Sequence, residues 1–410
     1  MEMALSSQDR HDIAINNACL FDGLNVRTGR FNVGIRDGAI VTVSEERLAG
    51  DEEFNVAGAW LSPGLIDSHV HLFDPISCVD EQSMNTYLDD VLPLHFQSFL
   101  RYGVTTIKSV GDPVPELLTI RERLRLGVCS GPRFLMTGFG LTAPGGHPTR
   151  TIYGRNPWYQ KRAAGEADSP EAARERVAEM AELGVDAIKL LYQGGCACHG
   201  GEPDYRWHGM VPINRLKRPV MEAAIEEAHR RGLKVTVHTY EQDRAIEALE
   251  AGADGVEHGI VGEDISDDRV FELLLRNDAT YVPTLWVYPT PEAHRNVGRV
   301  AAAGVRVALG TDSFSPTIKV EGVDAGQYGS NSIVEAQRMV KGGLSPLEVM
   351  RTATVQAARH LGRDDIGSVA EGLKADLVVF RGNPAADIEN LWNPSLVIAD
   401  GKVVSRGGSV

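Results

Sequence analysis

No window of the sequence holds the roughly 18 consecutive apolar residues of a membrane-spanning helix, and no run of lysine and arginine occurs in it. With 41 Lys and Arg against 56 Asp and Glu, the formal charge is −15. That balance argues against nucleic acid or an anionic membrane as the main partner. Cysteine is scarce as well. Cys19, Cys78, Cys129, Cys196 and Cys198 make an odd set of five, scattered apart from one pair, which excludes a disulfide framework and suits a reducing compartment. The stretch MEMALSSQDRHDIAINN lacks the apolar segment of a signal peptide, so a cytoplasmic location is expected.

What is present describes an ordinary globular chain. Hydrophobic residues make up 43% of the 410 and charged residues 24%, ample for a large core. Residues 12–60 read as short strands with Asp-Gly turns, and ADLVVFRGNP and SLVIADGKVVSRGG near the other end read alike. These two β-rich ends, 1–63 plus 363–410, are expected to form one small β-sandwich domain. Between them, GLIDSHVH, TTIKSVGD, PRFLMTG, DAIKLL, KVTVHT, DGVEHG, TYVPTL and RVALGTDS alternate with helical patterns such as SPEAARERVAEMAELG. Eight apolar strands alternating with helices imply a parallel sheet closed into a (β/α)8 TIM barrel over residues 64–362.

In such a barrel the chemistry sits at the C-terminal ends of the strands. Strand 1 ends in His69 and His71, which point the same way because extended residues i and i+2 share a face. Strand 5 ends at His238, strand 6 at His258 and strand 8 at Asp312. With 12 histidines in the chain, a single one would mean little. Four histidines and one aspartate at equivalent strand ends are a divalent-metal ligand set. Strand 4 carries Lys189 among apolar residues. Either its stem packs while the amine reaches solvent, or burial strips its proton and leaves a nucleophile able to add carbon dioxide and become a carbamate.

The ordered set SPGLIDSHVH, VHTY, VEHG and GTDS, with EGLKADLVVFRGNP near the end, resembles the amidohydrolase superfamily of metal-dependent hydrolases across nearly the whole chain. The resemblance implies two divalent ions, zinc being the commonest. His69, His71 and Asp312 would hold one and His238 and His258 the other, with a CO2-derived carboxylated Lys189 bridging. It implies attack by a hydroxide formed from water between the ions on an amide, carbamate, urea or lactone, with Asp312 passing the proton to the leaving group. Within the superfamily the chain is most similar to Xaa-Pro dipeptidase-like, arginine carboxypeptidase-like and ochratoxinase-like enzymes. By that similarity His147 of PGGHPT and Tyr240 of HTY contact the substrate carbonyl or carboxylate. Such enzymes are usually homo-oligomers.

Two other readings compete. His238 and Glu241 form an HxxE pair, which in the one-metal deaminases and imidazolonepropionase-like hydrolases supplies a proton shuttle. Glu241 equally suits the start of the helix EQDRAIEALEAG, where a carboxylate meets the positive end of the dipole. A non-catalytic scaffold would be marked by missing ligands, and none is missing.

Substrate choice is expected in long loops. Residues 139–168 mix Arg150, Arg155, Lys161 and Arg162 with Tyr153, Trp158 and Tyr159. These either receive a carboxylate beside an aromatic or apolar group of a small-molecule substrate, or lie on solvated surface or at a subunit contact. Residues 192–215 hold the conspicuous Cys196, Cys198 and His199. A separate metal site there would need four ligands, with only His208 at hand, so this segment reads as a loop over the barrel mouth.

Overall fold

The structure, a computed structural model, describes residues 10–196, 212–315 and 327–407. Eight parallel strands occupy the predicted positions: β1 (Leu65–Val70), β2 (Val104–Ser109), β3 (Arg133–Met136), β4 (Ala187–Leu191), β5 (Lys234–His238), β6 (Gly255–Glu257), β7 (Thr280–Val282) and β8 (Arg306–Val307). Neighbours pair in chain order from β1 to β3 and from β4 to β8. Between the two runs, Gly140–Thr142 extends the line of β3 and pairs with β4, Gly140 opposite Lys189. The ring closes where the Ser68 amide donates to Leu309 O at 3.0 Å and Val70 bridges to Ser313. The protein is therefore an α/β TIM barrel.

All six residues of β1 and all six of β2 are buried, as expected of strands covered on both faces. Helices follow the start and stop signals of the sequence. Ser169 caps the helix Pro170–Glu182 through a hydrogen bond from the Ala172 amide, with proline at its first position. Gly184 and Gly252 end their helices with φ of 70° and 99°, the left-handed turn that points the chain back into the next strand.

Segments from both β-rich regions enter one eight-stranded sheet. Its order is Lys402–Arg406, Pro394–Ala399, Leu377–Phe380, Trp60–Pro63, His11–Phe21, Val26–Arg36 and Ala39–Ser44, with Gly50–Asn55 also paired to His11–Phe21. The alternation in Leu377–Phe380 places the sheet on the barrel. Leu377 and Val379 join a core with Ile15, Val33 and Leu61, while Val378 and Phe380 join the barrel core, as the two-residue period requires. No helix among the described residues is long and apolar enough to cross a membrane.

Candidate metal centre

The barrel mouth gathers the strand-end residues. His69 Nε2 lies 3.3 Å and His71 Nε2 3.1 Å from Oδ1 of Asp312, while His258 Nδ1 lies 3.7 Å from its Oδ2. Ligand atoms of His69, His71 and Asp312 all fall within 4.8 Å of one another, close enough to share one ion. The His258 ring is 4.9 Å from His69 and 4.5 Å from His238, centroid to centroid. The predicted histidines and Asp312 therefore form one contiguous cluster.

Backbone strain concentrates here. His258, Thr284 and Asp312 have φ of 66°, 47° and 57°, a region that costs a residue with a side chain about 1–2 kcal/mol. Three such residues around one mouth indicate a geometry kept for function. Oγ1 of Thr284 meets Nδ1 of His258 at 2.9 Å. His238 donates from Nε2 to Oε1 of Gln193 at 3.1 Å.

Lys189 is fully enclosed, and its Nζ has no hydrogen-bond partner among the described residues. Burial lowers its pKa to about 8, against the opposing pull of Glu257 and Asp312. The solvent-reaching alternative for this lysine is thereby set aside. Burial, reinforced by neighbouring cationic groups, also pushes His238 and His258 well below the usual imidazole value, partly offset by Asp312. Neutral imidazole is the form that binds metal. For Asp312 burial acts upward, but the His258 and His69 rings outweigh it and hold the carboxyl well below its ordinary range. Nitrogen donors and an ionised carboxylate gathered in one buried cluster fit a divalent cation.

His147 and Tyr240 are brought to the same cluster. Their rings lie 4.9 Å and 4.5 Å from His238, and Tyr240 also contacts His258 at 5.2 Å. Beyond them Tyr288, Trp286 and Phe314 form an aromatic group with Tyr240. Glu241 is placed differently. It precedes the helix Gln242–Glu250, has a side chain 41% exposed, and lies 3.5 Å from Arg244. That position matches the helix-opening role and gives no support to a proton shuttle.

The basic loop residues do not converge on the centre either. Arg150, Arg155 and Lys161 are exposed. Arg162 stacks on Trp158 at 4.0 Å and pairs with Glu116 at 3.3 Å, and Tyr153 and Tyr159 are buried in the barrel core. Cys198, His199 and His208, like the Cys196 side chain, lie outside the described residues.

Sequence reasoning missed the groups behind the strand-end histidines. The Nδ1–H of His69 donates to Oε2 of Glu257 at 2.7 Å, and Asp112 stands 3.8 Å from Nδ1 of His71. The signal was present in GVEHG and SVGDP, where a carboxylate follows an apolar strand residue or a tight glycine turn.

Comparison with known proteins agrees with this fold. The profile of the amidohydrolase family matches residues 60–404. An uncharacterised protein of Mycobacterium tuberculosis is 29% identical over 384 residues, covering 88% of this chain and 89% of the relative. Ochratoxinase of Aspergillus niger is 24% identical over 372 residues, 82% of this chain and 73% of that enzyme. Among solved structures, a Xaa-Pro dipeptidase with bound methionine superposes with a TM-score of 0.77 at 24% identity, over 95% of this chain and 99% of that one.

Proposed function

The chain belongs to the amidohydrolase family and is a hydrolase of carbon–nitrogen bonds, and from that premise we propose that it is a two-metal amidohydrolase of small molecules. The observation that carries this reading is the enclosed Lys189 amine, without a hydrogen-bond partner among the described residues and in Coulombic reach of Asp312, His238 and His258. His69, His71 and Asp312 would hold one divalent ion, zinc by its commonness with such ligands, and His238 and His258 the second. Lys189 would contribute to both once its neutral amine had added carbon dioxide, giving a carbamate and releasing one proton. Bound there, two divalent ions lower the pKa of a water and polarise the carbonyl to be cut.

The remaining work falls to the chain. The Asp312 carboxylate takes the proton of the attacking water and delivers it to the leaving nitrogen. His147 and Tyr240 flank His238 and hold the substrate carbonyl or carboxylate. Trp286, Tyr288 and Phe314 supply an apolar wall beside it, which suits an aromatic or apolar group next to the scissile bond. N-acyl amino acids, dipeptides and aryl carbamates or ureas have this form.

Metal analysis of the purified chain and a substrate screen test the reading together. About two ions per chain are expected, with turnover of N-acyl amino acids, dipeptides or aryl carbamates by zinc-loaded protein. About one ion would favour the deaminase alternative, and none a scaffold. Equal turnover of carboxylate-blocked, purely aliphatic amides would overturn the substrate class.

A further inference from the structure

Beneath the metal ligands the barrel interior holds a second polar layer that the reaction does not itself require. Glu257 on β6 is completely buried and uses both oxygens. Oε2 accepts from Nδ1 of His69 at 2.7 Å, and Oε1 accepts from Oγ1 of Thr236 on β5 at 2.6 Å. Lys108 on β2 approaches Oε1 to 3.5 Å and donates to Nε2 of His360 at 2.7 Å. His360, from the helix Val355–His360, lies 3.7 Å from the same carboxylate oxygen. Gly255 leaves room for this arrangement, since a Cβ there would sit 3.1 Å from both His360 Cε1 and Thr236 Oγ1.

Buried charges are costly unless paired and hydrogen-bonded. Lys108 has Glu257 and His360 for that purpose, and Glu257 has four neighbours from four elements. A simple ion pair between Lys108 and Glu257 would not need His69. Yet the shortest contact of Glu257 with a nitrogen group is to that imidazole, and it occupies Nδ1 so that only Nε2 remains to face Asp312 at 3.3 Å. A ligand histidine whose second nitrogen donates to a carboxylate is fixed in tautomer and ring orientation and is the stronger donor to metal.

We propose that Glu257, clamped from below by Lys108, His360 and Thr236, is the positioning residue that fixes His69 as an Nε2 metal ligand. The inference rests on the two-metal reading above. Chelator-stripped full-length protein is titrated with zinc against a chromophoric competitor, and melting midpoints of the metal-free forms are recorded in parallel. Glu257→Gln, whose amide oxygen still accepts from Nδ1, should weaken zinc binding modestly. Lys108→Met combined with Glu257→Met, which removes both buried charges together and so keeps the fold if Glu257→Gln does not, should weaken it by about 10- to 100-fold. Lys108→Met alone should weaken it less than the double variant.

If Glu257 served only to neutralise Lys108, the double variant would recover wild-type zinc affinity as well as its melting midpoint, and the proposal would fall. A wild-type chain that binds no zinc would overturn the metal reading itself, and the inference with it.

Discussion

Thr284 and His258 stand on neighbouring strand ends, both with left-handed backbone, and their side chains meet at 2.9 Å between Oγ1 and Nδ1. A β-branched residue is a genuine outlier at positive φ, so this contact exists against a local preference. Thr284→Val keeps the branched shape and removes the oxygen. It should leave the fold intact and weaken metal binding at the His238 and His258 pair by about 10-fold or more, seen as loss of one of two ions on dialysis. Retention of both ions at wild-type strength would show that Thr284 does not orient His258.

Lys189 offers a test in which two readouts move in opposite directions. Its amine is enclosed without a hydrogen-bond partner among the described residues, which destabilises the metal-free protein. Lys189→Met should raise the stability of that form by about 1–3 kcal/mol, measured by urea unfolding. The same variant should lose bound metal and hydrolytic turnover. Full activity with both ions retained would sink the bridging role, while an unchanged or lowered stability would show that the amine is better solvated than its enclosure implies.

Asp312 is asked to act twice, as a metal ligand and as the group that moves a proton. Asp312→Asn keeps size and one oxygen donor but cannot take up a proton. Turnover should fall by about 10²–10⁴-fold while the melting midpoint of the metal-free form stays close to wild type. A fall in metal content that fully accounts for the lost rate would limit Asp312 to binding.

The barrel and the candidate ligand cluster were legible because they follow rules of period and position. Two histidines two residues apart share a face of a strand, and His238, His258 and Asp312 recur at the ends of strands 5, 6 and 8. The layer behind them was not legible in the same way. Glu257 and His69 are 188 positions apart, and Lys108 and His360 252. Their meeting depends on closure of the ring, which no local pattern records. Glu241 shows the converse: HxxE is a local pattern, and the fold turns that side chain outward beside Arg244. The basic residues of 139–168 were ambiguous by composition alone, and the Arg162 contacts with Trp158 and Glu116 place that residue away from the ligand cluster.

Glu335 carries a pH dependence that the fold predicts away from the candidate metal ligands. It is fully buried in the helix Ser330–Lys341 and accepts from the Leu285 and Trp286 amides at 2.9 and 2.5 Å, so it pins the strand end that bears the aromatic wall. Burial raises its carboxyl from 4.5 to about 8, against the pull of those amides and Arg338. Between those two values the folded chain keeps a proton that the unfolded chain has lost. Stability should therefore fall as pH rises through that window, by at most about 1.4 kcal/mol per pH unit from this group. Glu335→Gln cannot ionise, but its single amide oxygen leaves one of the two amides without an acceptor, at about 1–3 kcal/mol. The variant should thus be clearly less stable than wild type near pH 5 and should approach or overtake it near pH 8, as read from melting midpoints of the metal-free proteins. A constant gap across that range would mean that Glu335 is ionised throughout and that its two backbone hydrogen bonds, not its burial, set its charge.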